Sequence, residues 1–249
     1  MSAALETRAL CKSFGALTVA DRVDFRLEAG VRHALIGPNG AGKTTFVNMI
    51  TGRLAPSSGQ VLLGGEDVTR LSQAARVRRG LGRTFQINTL FRDMSVLDNV
   101  ALGVAERRGV GARLWRPASG YAEVRAEAME LIEALGLGED ARRRALDLPY
   151  GKQRLVEIAI ALGLKPTVLL LDEPAAGVHS LESHRILESL ERLPARIAIL
   201  IIEHDMDLVF RFAQRITVLV QGEVLCEGTP AQIAEDPRVR QIYLGERHA

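Results

Sequence analysis

The chain has few of the residues that build redox, zinc or membrane-spanning structures. Only two of its 249 residues are cysteine, Cys11 and Cys226. Each sits in a segment that reads as strand, with no C-x-x-C spacing and no nearby histidine pattern. Zinc and thiol redox chemistry are therefore not indicated, and both are expected to be small buried hydrophobes. Long apolar runs are lacking too. Aliphatic stretches such as Ile197-Ala198-Ile199-Leu200-Ile201-Ile202 fall far short of the roughly 20 residues a spanning helix needs, and suit a buried strand. Met1–Leu10 has neither a basic start nor an apolar stretch, so no leader is expected and a membrane role must run through a partner. A large excess of charge of one sign is also missing. The net charge of +2 argues for neither nucleic acid nor an acidic membrane face. Short basic clusters at Arg76-Val77-Arg78-Arg79 and Arg142-Arg143-Arg144 read as solvated helix faces.

What is present is a globular composition, 47% hydrophobic, in a chain long enough for one large domain with a modest insertion. Residues 5–31 read as strands joined by turns, with Val23-Asp24-Phe25-Arg26-Leu27 alternating apolar and polar. Val31–Ile36 is a short apolar run ending in a glycine-rich turn. A helix follows, with Phe46, Met49 and Ile50 on one face and Gly52 as its stop. Residues 60–68 read as a hairpin around Gly64-Gly65. The stretch 121–135, rich in alanine and glutamate at helical spacing, looks like part of a helical insertion, with a loop over 107–120. Beyond it the pattern predicts helices over 154–163, 181–193 and 206–213, strands over 167–172 and 197–203, and a hairpin at Gln221-Gly222. Strands alternating with helices imply a mainly parallel, buried sheet.

Gly37-Pro38-Asn39-Gly40-Ala41-Gly42-Lys43-Thr44-Thr45 matches G-x-x-x-x-G-K-[ST], between an apolar strand and an amphipathic helix. The chemistry needs this layout. Glycines let successive backbone N–H groups turn around phosphates, and the helix N-terminus adds its dipole. Lys43 supplies a point charge for the β- and γ-phosphates of ATP, and the Thr44 hydroxyl can ligate Mg²⁺. Val168-Leu169-Leu170-Leu171-Asp172-Glu173 ends an apolar strand in two carboxylates. Asp172 would hold Mg²⁺, and Glu173 could polarise the attacking water as general base.

The order of the remaining segments resembles the nucleotide-binding domain of ABC transporters along essentially the whole chain. Leu148-Pro149-Tyr150-Gly151-Lys152-Gln153 stands where that family carries its signature, usually Leu-Ser-Gly-Gly-Gln. The resemblance implies that Tyr150, Gly151 and Gln153 cap the γ-phosphate held by a second ATPase subunit in a head-to-tail dimer. It implies that Gln86, in Gly82-Arg83-Thr84-Phe85-Gln86, reaches the metal, that His204, in Ile201-Ile202-Glu203-His204-Asp205, senses the γ-phosphate, and that Phe14 stacks on adenine. Taken alone, His204 reads more readily as a capping or core histidine, and a lone Phe14 as core, although Gly15 after it marks an exposed turn. Finer likeness points to the ATPases of branched-chain amino-acid-type importers, on Pro149-Tyr150-Gly151, Asp172-Glu173-Pro174-Ala175-Ala176-Gly177 and the tail from Gly228-Thr229-Pro230 to Tyr243-Leu244-Gly245. Relatives of that type carry urea, amides or aromatic acids. The implied partners are a second ATPase, integral membrane permeases and, indirectly, a periplasmic solute-binding protein, with the chain peripheral on the cytoplasmic face of the inner membrane and no nucleic acid bound. The alternatives are an exporter ATPase of the lipopolysaccharide type and a soluble ABC ATPase.

The implied architecture is α/β, a P-loop NTPase core with a mainly parallel sheet, an N-terminal antiparallel β subdomain and a helical insertion. Residues 1–86 and 154–249 would form the core and β subdomain, and 87–153 the helical signature segment. Two departures from the family pattern stand out. Pro149 replaces the signature serine, losing a hydroxyl and an N–H, although proline suits the first turn of a helix. Val178-His179-Ser180 occupies a loop that usually carries an aspartate or asparagine. Both elements reach toward the partner, so an unequal pair of subunits is expected.

Overall fold

The computed structural model describes residues 3–84, 90–110, 119–178 and 180–245. The first layer is an antiparallel sheet of β1 (Ala3–Phe14), β2 (Leu17–Glu28), β4 (Ser58–Leu63) and β5 (Glu66–Asp67), in the order β2-β1-β4-β5. The alternation read at Val23–Leu27 places Val23, Phe25 and Leu27 inside and Asp24 and Arg26 outside. The second sheet has six strands in the order β10-β9-β3-β8-β7-β6. They are β3 (Arg32–Ile36), β6 (Leu81–Arg83), β7 (Val168–Asp172), β8 (Ala198–Ile202), β9 (Arg215–Val220) and β10 (Glu223–Gly228). All pair in parallel except β10, which returns antiparallel on β9 through the turn at Gln221-Gly222.

Alternate residues of the parallel strands serve two cores, as the pleat requires. Val168, Leu170, Ala198 and Leu200 face α1 (Lys43–Thr51) through Phe46, Met49 and Ile50, with Leu5, Phe25 and Val61 of the antiparallel sheet beyond. Thus α1 lies between the two sheets. Leu169, Leu171, Ile199 and Ile201 face the other way, into a core built with α3 (Val96–Arg107), α4 (Ser119–Ala134), α5 (Tyr150–Gly163), α6 (Ser180–Glu191) and α7 (Met206–Phe212). Three further α-helices lie among the described residues: α2 (Gln73–Arg78), α8 (Pro230–Glu235) and α9 (Pro237–Gly245). Among the described residues no helix is long and apolar enough to cross a membrane.

Several expectations are corrected. Arg76 is 1% exposed rather than on a solvated face. Its guanidinium donates to the carbonyls of Met49, Thr69 and Leu71, tying the C-terminal turn of α1 to the loop that precedes α2. A fork of donors suits carbonyls that a helix end leaves without partners. Cys11 and Cys226 are half-buried, and the Cys11 sulfur accepts from Arg22 N at 3.2 Å. The expected loop over 107–120 is entered later, because α3 extends through Arg107, and α4 begins at Ser119. Helix α5 begins at Tyr150, before the expected start at 154, and ends at Gly163 as expected.

Candidate functional site

Parallel strands of an open α/β sheet present their ligand-binding loops at their carboxyl ends. Here those ends carry the phosphate loop after β3, Asp172-Glu173 at β7 and Glu203-His204 after β8. The register sets them side by side: Asp172 lies opposite Ile202, and Ile202 opposite Leu35. The β7 and β3 loops are thus two strands apart, roughly 10 Å.

The phosphate loop is wedged against both sheets. A side chain at Gly37 would meet the Leu219 carbonyl at 2.1 Å, and one at Gly42 the Val19 carbonyl at 2.6 Å. Gly42, at φ 96°, is the N-cap of α1. Pro38 closes a tight turn by accepting from Ala41 N at 3.2 Å, and Asn39 and Gly40 stand exposed at the crest. The Lys43 ammonium donates to the carbonyls of Gly37 and Pro38 at 2.6 and 2.9 Å, so it folds back over the loop. Thr44 is exposed and Thr45 half-buried in the first turn of α1, where helix N–H groups lack carbonyl partners. Phe14 is 52% exposed at the tip of the β1–β2 hairpin, with Lys12 Nζ 5.1 Å from its ring centroid. An aromatic left in water at a hairpin tip is available for stacking rather than buried in a core.

Asp172 is buried, and Arg83 Nη2 donates to its Oδ2 at 2.9 Å. Arg83 Nη1 also reaches Asn48 Oδ1 at 3.0 Å and Thr51 Oγ1 at 3.3 Å on α1. Mg²⁺ takes hard oxygen donors, usually one or two carboxylates with waters and phosphate oxygens. The Thr44 hydroxyl and the Asp172 carboxylate are donors of that kind, and the bond from Arg83 goes to Asp172 Oδ2, so the residue types fit that ion. Among the described residues no group of three or more His, Cys, Asp or Glu side chains gathers as an all-protein metal cage.

Glu173 has φ 47°, a left-handed conformation uncommon outside glycine. Its N–H donates to Ile202 O at 2.9 Å, and its carbonyl accepts from Ala176 N at 3.0 Å. His204 Nδ1 lies 3.9 Å from Glu173 Oε1 and 3.9 Å from Glu203 Oε2, with the imidazole largely exposed. Glu203, by contrast, is buried. Burial pushes its carboxyl proton affinity up, and backbone hydrogen bonds from Ala175 and His204 oppose that shift.

The signature residues collect at the start of α5. Pro149 is the N-cap, with extended ψ 150° and no side-chain cap, one position before the first turn in which proline is expected. That position takes an extended backbone, which proline tolerates, and it is where a serine hydroxyl would cap the helix. Tyr150 is partly exposed and stacks on Arg154 at 5.0 Å, and a side chain at Gly177, in the turn beyond Glu173, would lie 3.5 Å from its ring. A side chain at Gly151 would meet Glu182 Oε2 at 2.8 Å, so this glycine already serves packing against α6. Gln153 is buried and donates to Leu148 O at 2.9 Å. Its side-chain amide is thus engaged within its own turn. Gln86 and His179 lie outside the described residues. Sequence reasoning passed over Arg83 and Glu203, although each adjoins a motif residue.

A family model described as ABC transporter matches residues 20–176, and one described as Branched-chain amino acid ATP-binding cassette transporter matches residues 223–249. The high-affinity branched-chain amino acid transport ATP-binding protein BraF of Pseudomonas aeruginosa is 38% identical over 252 residues, covering 97% of this chain and 98% of that protein. The corresponding protein LivG of Escherichia coli is 38% identical over 250 residues with the same coverage. A crystal structure of an ATP-binding cassette of an ABC transporter in its ADP conformation gives a TM-score of 0.86 at 33% identity, covering 98% of this chain and 99% of that one. Fold, edge geometry and whole-length likeness agree: the chain belongs to the ABC transporter family, as an ATP-binding cassette.

Proposed function

We propose that this chain is the ATP-hydrolysing subunit of an importer that takes up branched-chain amino acids or related small polar solutes through separate membrane subunits. One observation carries the reading. The phosphate loop, Asp172-Glu173 and His204 meet on one sheet edge, in a chain whose relatives at 38% identity are named as branched-chain amino acid transport ATP-binding proteins.

The adenine of ATP stacks on Phe14, and backbone N–H groups of residues 37–45 enclose the phosphates. Lys43 exchanges the carbonyls it now holds for β- and γ-phosphate oxygens. Thr44 and Asp172, with Gln86, would hold Mg²⁺, whose chemistry is to neutralise charge on those oxygens. Glu173 orients water for in-line attack and takes its proton, while His204 donates to the γ-phosphate. A second ATPase subunit closes the site with its own counterpart of Tyr150, Gly151 and Gln153, and this chain's copies do the same for the partner. Closure is passed through the helical segment around α3 and α4 to a permease, which places the chain on the cytoplasmic face of the membrane. A periplasmic solute-binding protein supplies solute from the far side.

Cells lacking this chain should lose uptake of radiolabelled leucine, regain it with the native chain, and not regain it with Glu173→Gln. The variant should bind ATP and hold a closed dimer. Uptake indifferent to the deletion sinks the substrate class, hydrolysis by the variant near the native rate sinks the base assignment, and purification without integral membrane subunits sinks transport.

A further inference from the structure

Glu203 is 2% exposed at the carboxyl end of β8, and its oxygens are divided between two loops. Oε1 accepts from Ala175 N at 3.2 Å, in the turn after Glu173, and Oε2 accepts from His204 N at 3.3 Å. Among the described residues its one ion-pair partner within 4.0 Å is His204, at 3.9 Å. Keeping a carboxylate out of water without a Lys or Arg is unfavourable, so its retention needs a reason. The turn it grips is itself under strain. Glu173, at φ 47°, is fixed by its N–H to Ile202 O on one side, and Ala175 is fixed to Glu203 on the other. Because Asp172 and Ile202 pair in register, the two loops leave the sheet as neighbours, and Glu203 bridges them one residue further on.

We propose that Glu203 is a positioning residue of the ATPase reaction, tying the main chain at His204 to the turn after Glu173 so that base and histidine keep one separation. The proposal rests on the roles given above to Glu173 and His204. It goes beyond them in making a buried carboxylate the common anchor of both. The same turn carries Gly177, where a side chain would lie 3.5 Å from the Tyr150 ring, so the anchored turn also borders the surface offered to a second subunit.

The test uses the full chain in its transporter complex, with steady-state hydrolysis and binding of a fluorescent ATP analogue. Glu203→Ala should lower kcat by about 10- to 100-fold, the cost of misplacing reacting groups by around 1 Å. Its affinity for the analogue should stay within about threefold of native, because the phosphate loop is untouched. Glu203→Gln keeps one acceptor oxygen and should fall between, and it carries the same criteria if Glu203→Ala fails to fold. Combined with His204→Ala, the Glu203→Ala loss should be much less than multiplicative. A native kcat, a parallel fall in affinity and melting temperature, or fully multiplicative losses would each overturn the proposal. Glu173→Gln run alongside separates the failures: if it hydrolyses normally the underlying reading is wrong, and if it is inactive while Glu203→Ala is native, only Glu203 has been misread.

Discussion

Arg83 and Asp172 form a buried ion pair that joins edge strand β6 to the carboxyl end of β7, Nη2 to Oδ2 at 2.9 Å. The other arm of the guanidinium reaches Asn48 and Thr51 on α1, so one side chain spans three elements around the acid assigned to Mg²⁺. Arginine suits this post because its fork is planar and permanently charged.

Arg83→Met should leave a buried carboxylate without its cation and lower the unfolding free energy in urea by about 3 kcal/mol. Arg83→Lys should lose less, keeping the charge but not the fork. Adding Asp172→Asn to Arg83→Met should return most of the loss. Equal destabilisation of the single and double variants would show that the pair is not the cause.

Acid should loosen the helical segment through Glu127. Burial pushes this carboxyl upward, but hydrogen bonds from Lys165, Arg108 and Arg107 and the charge of Arg107 outweigh it and hold it at about 2. A folded-state value below the unfolded one adds stability that is present above about pH 4.5 and is lost as pH falls toward 2. The contribution is at most about 3 kcal/mol. Glu127→Gln should flatten that part of the pH–stability curve; an unchanged slope between these limits would remove the network from the account.

Pro149→Ser places a hydroxyl at the N-cap of α5. The gain of a cap, about 1 kcal/mol, is offset by the loss of proline's restraint on the unfolded chain, about 0.4–1 kcal/mol. Stability should barely move, while ATP hydrolysis by the assembled complex should rise as the partner's γ-phosphate regains a donor. Equal hydrolysis rates for the two complexes would mean the proline does not weaken that half-site.

The places of the phosphate loop after β3 and of the Asp172-Glu173 pair at the end of β7 were legible because a glycine-rich turn and two carboxylates each close an apolar run, whatever surrounds them. The strands were legible for a similar reason, since five consecutive buried residues in β7 and in β8 leave an unmistakable apolar run. Arg83, Glu203 and Arg76 were not, because a charged residue at the end of an element reads as surface by default. The register of β6 on β7 puts Arg83 inside, the turn after Glu173 meets Glu203, and carbonyls at the end of α1 and before α2 take Arg76. The start of α5 was misplaced for a local reason: Pro149 and Gly151 look like breakers, yet one is the cap and the other a close contact with Glu182.

The left-handed backbone at Glu173 has a consequence for how this cassette tolerates change. Judged on backbone comfort alone, glycine is the residue that suits φ 47°, and a glutamate there gives up roughly 1 kcal/mol. A library selected only for heat resistance should therefore enrich Glu173→Gly, with a higher unfolding midpoint and no turnover, so that at this position durability and work are opposed.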